Sequence, residues 1–184
     1  MNVLLVPGLG NCGPDHWLSH WERALPATRA QLDDWDDPYP ENWIANLETA
    51  IAEAGDDIVL VAHSLGCACV AHWAKNARPS IRAALLVAPA DVESDMHVPP
   101  PARRFAPMPM TRLPFPAIVV ASTNDPYADF DRSEAFARAW GARFVNIGAK
   151  GHINADSALG TWPAGRALLN ELTRPDYLRL SSGT

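Results

Sequence analysis

The stretch from Ile58 to Ala68 constrains the fold more than any other part of this chain. Its first four residues, Ile58-Val59-Leu60-Val61, are all aliphatic, which predicts a strand buried on both faces. Small and alanine-rich residues after Gly66 predict a helix. Ser64 lies between them, two residues after Ala62 and two before Gly66. This spacing is typical of a nucleophile elbow, a sharp strand-turn-helix reversal that presents a Ser side chain at the end of a parallel sheet.

The rest of the chain alternates apolar runs with helical patterns. Further strands are predicted over Val3–Val6, near Thr28–Leu32, and over Ala83–Ala88, Ala117–Ser122 and Arg143–Ile147. Helices are predicted over Asp15–Leu25, roughly Glu41–Ala54, from the elbow to about Asn76, and over Ser133–Trp140 and Trp162–Leu172. Strands that alternate with helices favour the α/β class, here a three-layer αβα sandwich with a mostly parallel sheet of about six strands.

A length of 184 residues predicts one domain, which we expect over residues 1–174. Residues 175–184 follow Arg174-Pro175 and are expected to form a loose C-terminal tail. The segment 91–113 is rich in Pro and lacks periodicity, which predicts a long irregular loop.

Composition excludes several classes of partner. A net charge of −6 and a pI near 5.4 argue against nucleic acid and anionic membranes. No stretch approaches the length of a membrane span, and no signal peptide is visible. Cys12, Cys67 and Cys69 are odd in number, and the last two are too close for an ordinary disulfide, so a reducing cytoplasmic location is expected.

A nucleophilic Ser needs a base that takes its proton and a carboxylate that orients the base. Asp125 follows the predicted fifth strand and His152 follows the sixth, so both belong at the same C-terminal edge of the sheet as Ser64. The chain order Ser, Asp, His is that of an α/β-hydrolase. We therefore predict Ser64, Asp125 and His152 as the catalytic residues.

The oxyanion of the reaction requires backbone donors beside the nucleophile. The N–H of Leu65, directly after Ser64, is one candidate, and the N–H of Leu9 in the loop after the first strand is the other. For the substrate pocket we predict a less defined set, which consists of Asn11, Trp17, Met96, Met108 and Ile153.

Three stretches carry a resemblance to a known family: Pro7-Gly8-Leu9-Gly10 through Gly13-Pro14-Asp15-His16-Trp17, then Ala62-His63-Ser64-Leu65-Gly66, then Asn124-Asp125-Pro126-Tyr127 with Gly151-His152-Ile153-Asn154. The sequence resembles the small single-domain α/β-hydrolases of the retinoblastoma-binding-protein-nine and YdeN type. The resemblance implies a compact serine hydrolase without a large lid, free of cofactor and metal, which acts on small esters. Thioesters, lactones and amides use the same chemistry. The resemblance does not identify the natural substrate or a protein partner.

Other residues compete for these roles. Asp91 follows the fourth strand and could replace Asp125 as the acid, and His97 is a weaker rival of His152. His16 and His20 have a spacing compatible with a metal, yet no third ligand follows, so cleft-lining or surface histidines are favoured. Met96, Phe105, Met108 and Met110 could either cap the core or form an acyl pocket over Ser64.

Two functions from other classes remain as alternatives. Gly8, Gly10 and Gly13 match the G-x-G-x-x-G dinucleotide fingerprint, with Asp33 twenty residues beyond the last glycine. Against this reading, Pro14 delays the helix start beyond the glycines, and bulky residues follow where small ones should allow close packing. The other alternative is a non-enzymatic interaction domain, against which a complete catalytic set argues.

Overall fold

The computed structural model describes residues 2–76 and 81–174, so the predicted tail at 175–184 lies outside the described residues. Six strands form its sheet: β1 (Asn2–Val6), β2 (Ala27–Arg29), β3 (Ile58–His63), β4 (Ile81–Val87), β5 (Ala117–Ala121) and β6 (Arg143–Asn146). The helices are α1 (Trp17–Ala24), α2 (Pro40–Ala54), α3 (Leu65–Ala74), α4 (Pro100–Arg103), α5 (Phe130–Trp140) and α6 (Pro163–Leu172), with a 3-10 turn at Ala155–Ser157.

The sheet has the order β2-β1-β3-β4-β5-β6, and every neighbouring pair is parallel. β3 lies inside it, paired with β1 through Leu60 and Leu4 and with β4 through Leu60 and Ala84. All six of its residues are buried, as the aliphatic run predicts. The predicted α/β sandwich with a parallel sheet of about six strands is confirmed.

Side chains alternate between two cores because successive strand residues point to opposite faces. Ile58, Leu60 and Ala62 of β3 pack into the core that also contains buried residues of α2, α3 and α5. Val59 and Val61 pack into the core beneath α1 and α6. The helices therefore cover both faces of the sheet, and the loops that follow its strands meet at one exposed edge.

Some boundaries differ from the sequence predictions. α1 begins at Trp17 and not at Asp15, because the His16 backbone is extended and its side chain caps the helix. The segment predicted as irregular over 91–113 contains the short helix α4, whose Ala102 packs into the core of α2, α3 and α5. This anchors the segment beside the C-terminal edge of the sheet.

Candidate active site

The turn between β3 and α3 holds Ser64 in a strained conformation. Its backbone has φ 55° and ψ −125°, a region that a non-glycine residue rarely adopts. The turn is also tightly packed, since a Cβ on Gly66 would lie 2.4 Å from the Val6 carbonyl oxygen, and a Cβ on Gly8 would lie 2.7 Å from the Ser64 Cβ. Glycine at both positions lets β1, its following loop and α3 approach one another closely.

The structure brings the Ser64, His152 and Asp125 side chains together from three different loops. The Ser64 hydroxyl oxygen lies 2.8 Å from Nε2 of His152. On the other side of the ring, Nδ1 lies 2.8 Å and 2.9 Å from the two carboxylate oxygens of Asp125. Since a carboxylate accepts, Nδ1–H donates to Asp125, and Nε2 is left to accept from the serine hydroxyl. The Asp125 side chain is only 3% exposed, so water competes little for it.

The loops that carry Asp125 and His152 are joined by hydrogen bonds that the sequence analysis missed. Oδ1 of Asn124 accepts from the Ser122 hydroxyl at 2.9 Å and from the Gly151 N–H at 2.8 Å. The Ser122 oxygen in turn accepts from the N–H of Lys150 at 2.8 Å. These bonds connect the residue before Asp125 to the residue before His152, so they fix the acid relative to the base. The available signal was the position of both polar residues within three residues of the end of β5.

The His63 side chain contacts both the backbone and the ring of His152. Its Nε2–H donates to the His152 carbonyl oxygen at 2.9 Å, and the two rings lie 4.8 Å apart. Burial lowers the pKa of His63 well below its ordinary value, with a further contribution from nearby His152. His63 is therefore neutral and holds the backbone of His152 without placing a second positive charge beside it.

The rival groups predicted for the acid and the base have other partners. Asp91 forms a two-pronged ion pair with Arg132, at 3.0 Å and 3.1 Å. Its backbone N–H donates to the Tyr127 carbonyl oxygen at 2.9 Å. His97 lies 3.0 Å through Nδ1 from the carbonyl oxygen of Pro126. Both residues therefore support the loop that presents Asp125 and do not contact Ser64.

A cavity of about 300 Å³ opens over Ser64 and His152. Leu9 and Leu65 line it, so the backbone positions predicted as oxyanion donors lie beside the serine. Among the described residues, no backbone acceptor takes up either N–H. The remaining wall consists of Ala90, Val98, Pro99, Ala102 and Tyr127 with Asn11, Cys12, Gly13, His16, His63, Asn154 and Ala155. The cavity is near the lower end of the range for small-molecule sites.

Of the five predicted pocket residues, Asn11 lines this cavity and the other four do not. Trp17 and Ile153 are buried in the core beneath α1 and α6, where the Trp17 Nε1–H donates to the Ile153 carbonyl oxygen at 2.7 Å. Met108 is buried in the opposite core, and Met96 is 87% exposed. The prediction for these four residues is corrected, because tertiary packing carries their side chains into a core or into solvent.

The other long-loop residues also lie off the cavity wall. Phe105 is fully buried in the core, whereas Met110 is exposed. The wall on this side comes instead from the neighbouring Val98, Pro99 and Ala102, which no periodicity identified.

The glycine loop after β1 packs against the elbow and does not open a helix. α1 starts at Trp17, four residues beyond Gly13 along the chain, and Gly8 packs against Ser64. The carboxylate of Asp33 accepts from the Asn46 amide on α2 at 3.0 Å. The geometry of a dinucleotide site, with glycines at a helix N-terminus, is not formed here.

Within residues 2–76 and 81–174, no helix combines the length and the apolar character that crossing a membrane requires. The same residues contain no group of three or more His, Cys, Asp or Glu side chains arranged to hold a metal ion.

Comparison with known proteins gives a consistent result. A family model described as serine hydrolase matches residues 3–171. Among solved structures, a YdeN-like hydrolase from Pectobacterium atrosepticum is 30% identical, with a TM-score of 0.82 over 93% of this chain and 89% of the other.

Two further solved structures are similar in fold. The ydeN gene product of B. subtilis is 19% identical with a TM-score of 0.75, over 93% of this chain and 97% of the other. A monoacylglycerol lipase from Paleococcus ferrophilus is 14% identical with a TM-score of 0.68, over 93% of both chains. No curated protein matches the sequence.

Proposed function

The chain belongs to the serine hydrolase family, and we propose that it hydrolyses small carboxylic esters through an acyl-enzyme on Ser64. His152 removes the hydroxyl proton as the Ser64 oxygen attacks the ester carbonyl carbon. The resulting tetrahedral oxyanion accepts hydrogen bonds from the N–H groups of Leu65 and Leu9. His152 then passes its proton to the leaving alcohol oxygen, and the carbon–oxygen bond to the alcohol breaks.

Water completes the cycle by the same route. His152 takes a proton from the water as its oxygen attacks the acyl carbon, and returns the proton to the Ser64 oxygen as the acid leaves. Throughout, Asp125 holds the Nδ1–H tautomer of His152 and stabilises the imidazolium that forms in each step. The observation that carries this proposal is the continuous hydrogen-bonded line from Ser64 through His152 to Asp125.

The size of the cavity supports small substrates. A volume of about 300 Å³ holds roughly ten water molecules. A short acyl chain with a compact alcohol fills this space, whereas a long lipid chain would extend into solvent. The fold similarity to a lipase supports ester chemistry in general. The size of the cavity favours short esters over long ones.

Labelling with a fluorophosphonate tests the assignment of the nucleophile. The reagent reacts with an activated serine far faster than with other hydroxyl groups, so intact-mass spectrometry should show one adduct on the wild-type protein. Ser64→Ala should show none. Ser94→Ala, in the segment between β4 and β5, is the matched control and should label like the wild type. An adduct that persists in Ser64→Ala, or no adduct on the wild type, would refute the proposal.

A further inference from the structure

The cavity over Ser64 has two walls of different chemistry, because it straddles the edge of the sheet. One wall comes from Val98, Pro99 and Ala102, in the segment that packs onto the core of α2, α3 and α5. The opposite wall comes from the loop before α1 and from Asn154, two residues after His152. The first wall is apolar. The second carries polar side chains.

The acceptor atom of each polar side chain named below already accepts a hydrogen bond from within the protein. Oδ1 of Asn11 accepts from Nη1 of Arg29 at 2.9 Å. Oδ1 of Asn154 accepts from the Asp156 N–H at 3.1 Å. Nδ1 of His16 accepts from the Leu18 N–H at 3.1 Å. We refer to Asn11, His16 and Asn154 as the donor wall.

These orientations are forced by the partners. A guanidinium and a backbone N–H can only donate, so the atom facing each of them must be an acceptor. The amide nitrogens of Asn11 and Asn154 therefore remain as donors, and His16 in its neutral form carries its proton on Nε2. Burial lowers the pKa of His16 to about 4, so the ring is neutral near pH 7.

His16 holds a donor that has no partner within this wall. The residue is 4% exposed, and its Nε2 has no hydrogen-bond partner among the described residues. A buried N–H that makes no hydrogen bond loses its interaction with water without compensation. Its ring packs 4.7 Å from that of His63, which in turn packs against His152, so it is close to the reacting groups.

Three backbone carbonyls of the same wall also accept hydrogen bonds from within the protein. The Cys12 oxygen accepts from Arg29 at 3.2 Å, and the Gly13 oxygen accepts from the Ser19 hydroxyl at 2.8 Å. The Asn154 oxygen accepts from the Ser157 N–H at 3.2 Å. The wall therefore offers N–H donors and few acceptors to a molecule in the cavity.

We propose that the donor wall selects esters that carry a second oxygen acceptor, a carbonyl or a carboxylate, beside the ester group that Ser64 attacks. The inference rests on the proposed function and names its substrate class. The apolar wall takes the hydrocarbon part of such a substrate, and the donor wall binds the acceptor oxygen. A substrate with a hydroxyl or ammonium donor at that position would find few acceptors there.

Pairs of esters that match in shape test this selectivity. Methyl isocaproate, which ends in a branched hydrocarbon, is the apolar reference. Methyl levulinate has a ketone of the same size at that position, and monomethyl succinate has a carboxylate there. For the alcohol part, 3-oxobutyl acetate, which carries a ketone, pairs with isopentyl acetate. Release of acid, followed by pH-stat, gives kcat/KM for each. One hydrogen bond to an acceptor corresponds to about a two- to tenfold preference, so at least one acceptor ester should exceed its apolar partner by more than about twofold.

Variants that exchange a donor for an acceptor should remove this preference. Asn11→Asp and Asn154→Asp keep Oδ1 for Arg29 and for the Asp156 N–H, and replace only the amide nitrogen with oxygen. The preference ratio should fall to about one or below, most strongly for monomethyl succinate because like charges repel. Asn42→Asp, at an exposed position of α2 that does not line the cavity, adds the same charge and should leave the ratio unchanged.

The outcomes separate the inference from the proposed function. A preference that is lost in the two wall variants and kept in Asn42→Asp supports the inference, and faster hydrolysis of the succinate than of the levulinate ester identifies the acceptor as a carboxylate. The inference about the donor wall is refuted if the kcat/KM ratio is within about twofold for every pair in the wild type, or if the ratios are equal in the wild type and the wall variants. The proposed hydrolase function is unaffected by either result. No hydrolysis of any ester, with no fluorophosphonate adduct, refutes both.

Discussion

Acidification should destabilise the folded protein through the buried histidines near the active site. Burial lowers the pKa of His16 from its ordinary value of 6.5 to about 4, and nearby His152 contributes to the shift. In the unfolded chain the pKa of His16 returns to its ordinary value. Between these two values the unfolded state therefore binds one more proton than the folded state, so the free energy of unfolding falls as the pH falls from about 6.5 to about 4.

The size of the effect follows from the shift. A difference of one pKa unit corresponds to about 1.4 kcal/mol. For His16 the range from 6.5 to about 4 corresponds to about 3 kcal/mol, which is a large part of the stability of a typical domain. His63 shifts in the same direction and adds to the slope over the same range. Below about pH 4 His16 becomes protonated in both states, and its contribution to the slope ends.

Urea unfolding at a series of pH values from 7 to 4 gives the free energy of unfolding of the wild type and of His16→Asn. The substitution keeps a side-chain acceptor for the Leu18 N–H at the start of α1 and removes the titrating ring. Carboxylates and His63 titrate in both proteins, so the difference between the two free energies isolates His16. The wild type should lose about 3 kcal/mol relative to the variant between pH 7 and pH 4. A difference that stays constant to within about 0.5 kcal/mol would refute the reasoning, because His16 would then titrate alike in both states.

Two further substitutions test the elbow and the choice of acid. Gly66→Ala should lower the free energy of unfolding by at least about 2 kcal/mol, because its Cβ would lie 2.4 Å from the Val6 oxygen. Gly13→Ala, whose Cβ would meet nothing within 4 Å, is its control and should change stability little; equal urea midpoints for the two would contradict the packing argument. Asp125→Asn should lower kcat by about 10⁴, as loss of the orienting carboxylate does in other triads. Asp91→Asn should reduce stability through the lost Arg132 pair while folded molecules keep most of their kcat, and the reverse pattern would assign the acid to Asp91.

The sequence predicts the elbow well because its requirements are local. An aliphatic run, a serine and small flanking residues specify a strand, a strained turn and a helix within eleven residues, and β3 and α3 appear where expected. The parallel sheet follows because strands that alternate with helices have few other ways to pack. Asp125 and His152 were placed by the same logic, since each follows a strand whose end lies at the edge that bears Ser64.

The cavity could not be predicted in this way, because its wall depends on contacts between distant parts of the chain. Trp17 is predicted as a pocket residue, but its indole N–H donates to the Ile153 carbonyl oxygen and both side chains are buried. Met108 and Met96 lie in a segment without periodicity, so the sequence does not show that Met108 is buried and Met96 exposed. The occupied acceptors of the donor wall depend equally on tertiary partners such as Arg29.

The most direct test of the central claim is the turnover of a short ester, such as methyl valerate, by wild type and Ser64→Ala at equal concentrations of folded protein. If the Ser64 oxygen is the nucleophile and acts as a unit with His152 and Asp125, kcat should fall by several orders of magnitude, on the order of 10⁶. Circular dichroism of the variant should match that of the wild type. Turnover by Ser64→Ala within about tenfold of the wild type would contradict the account.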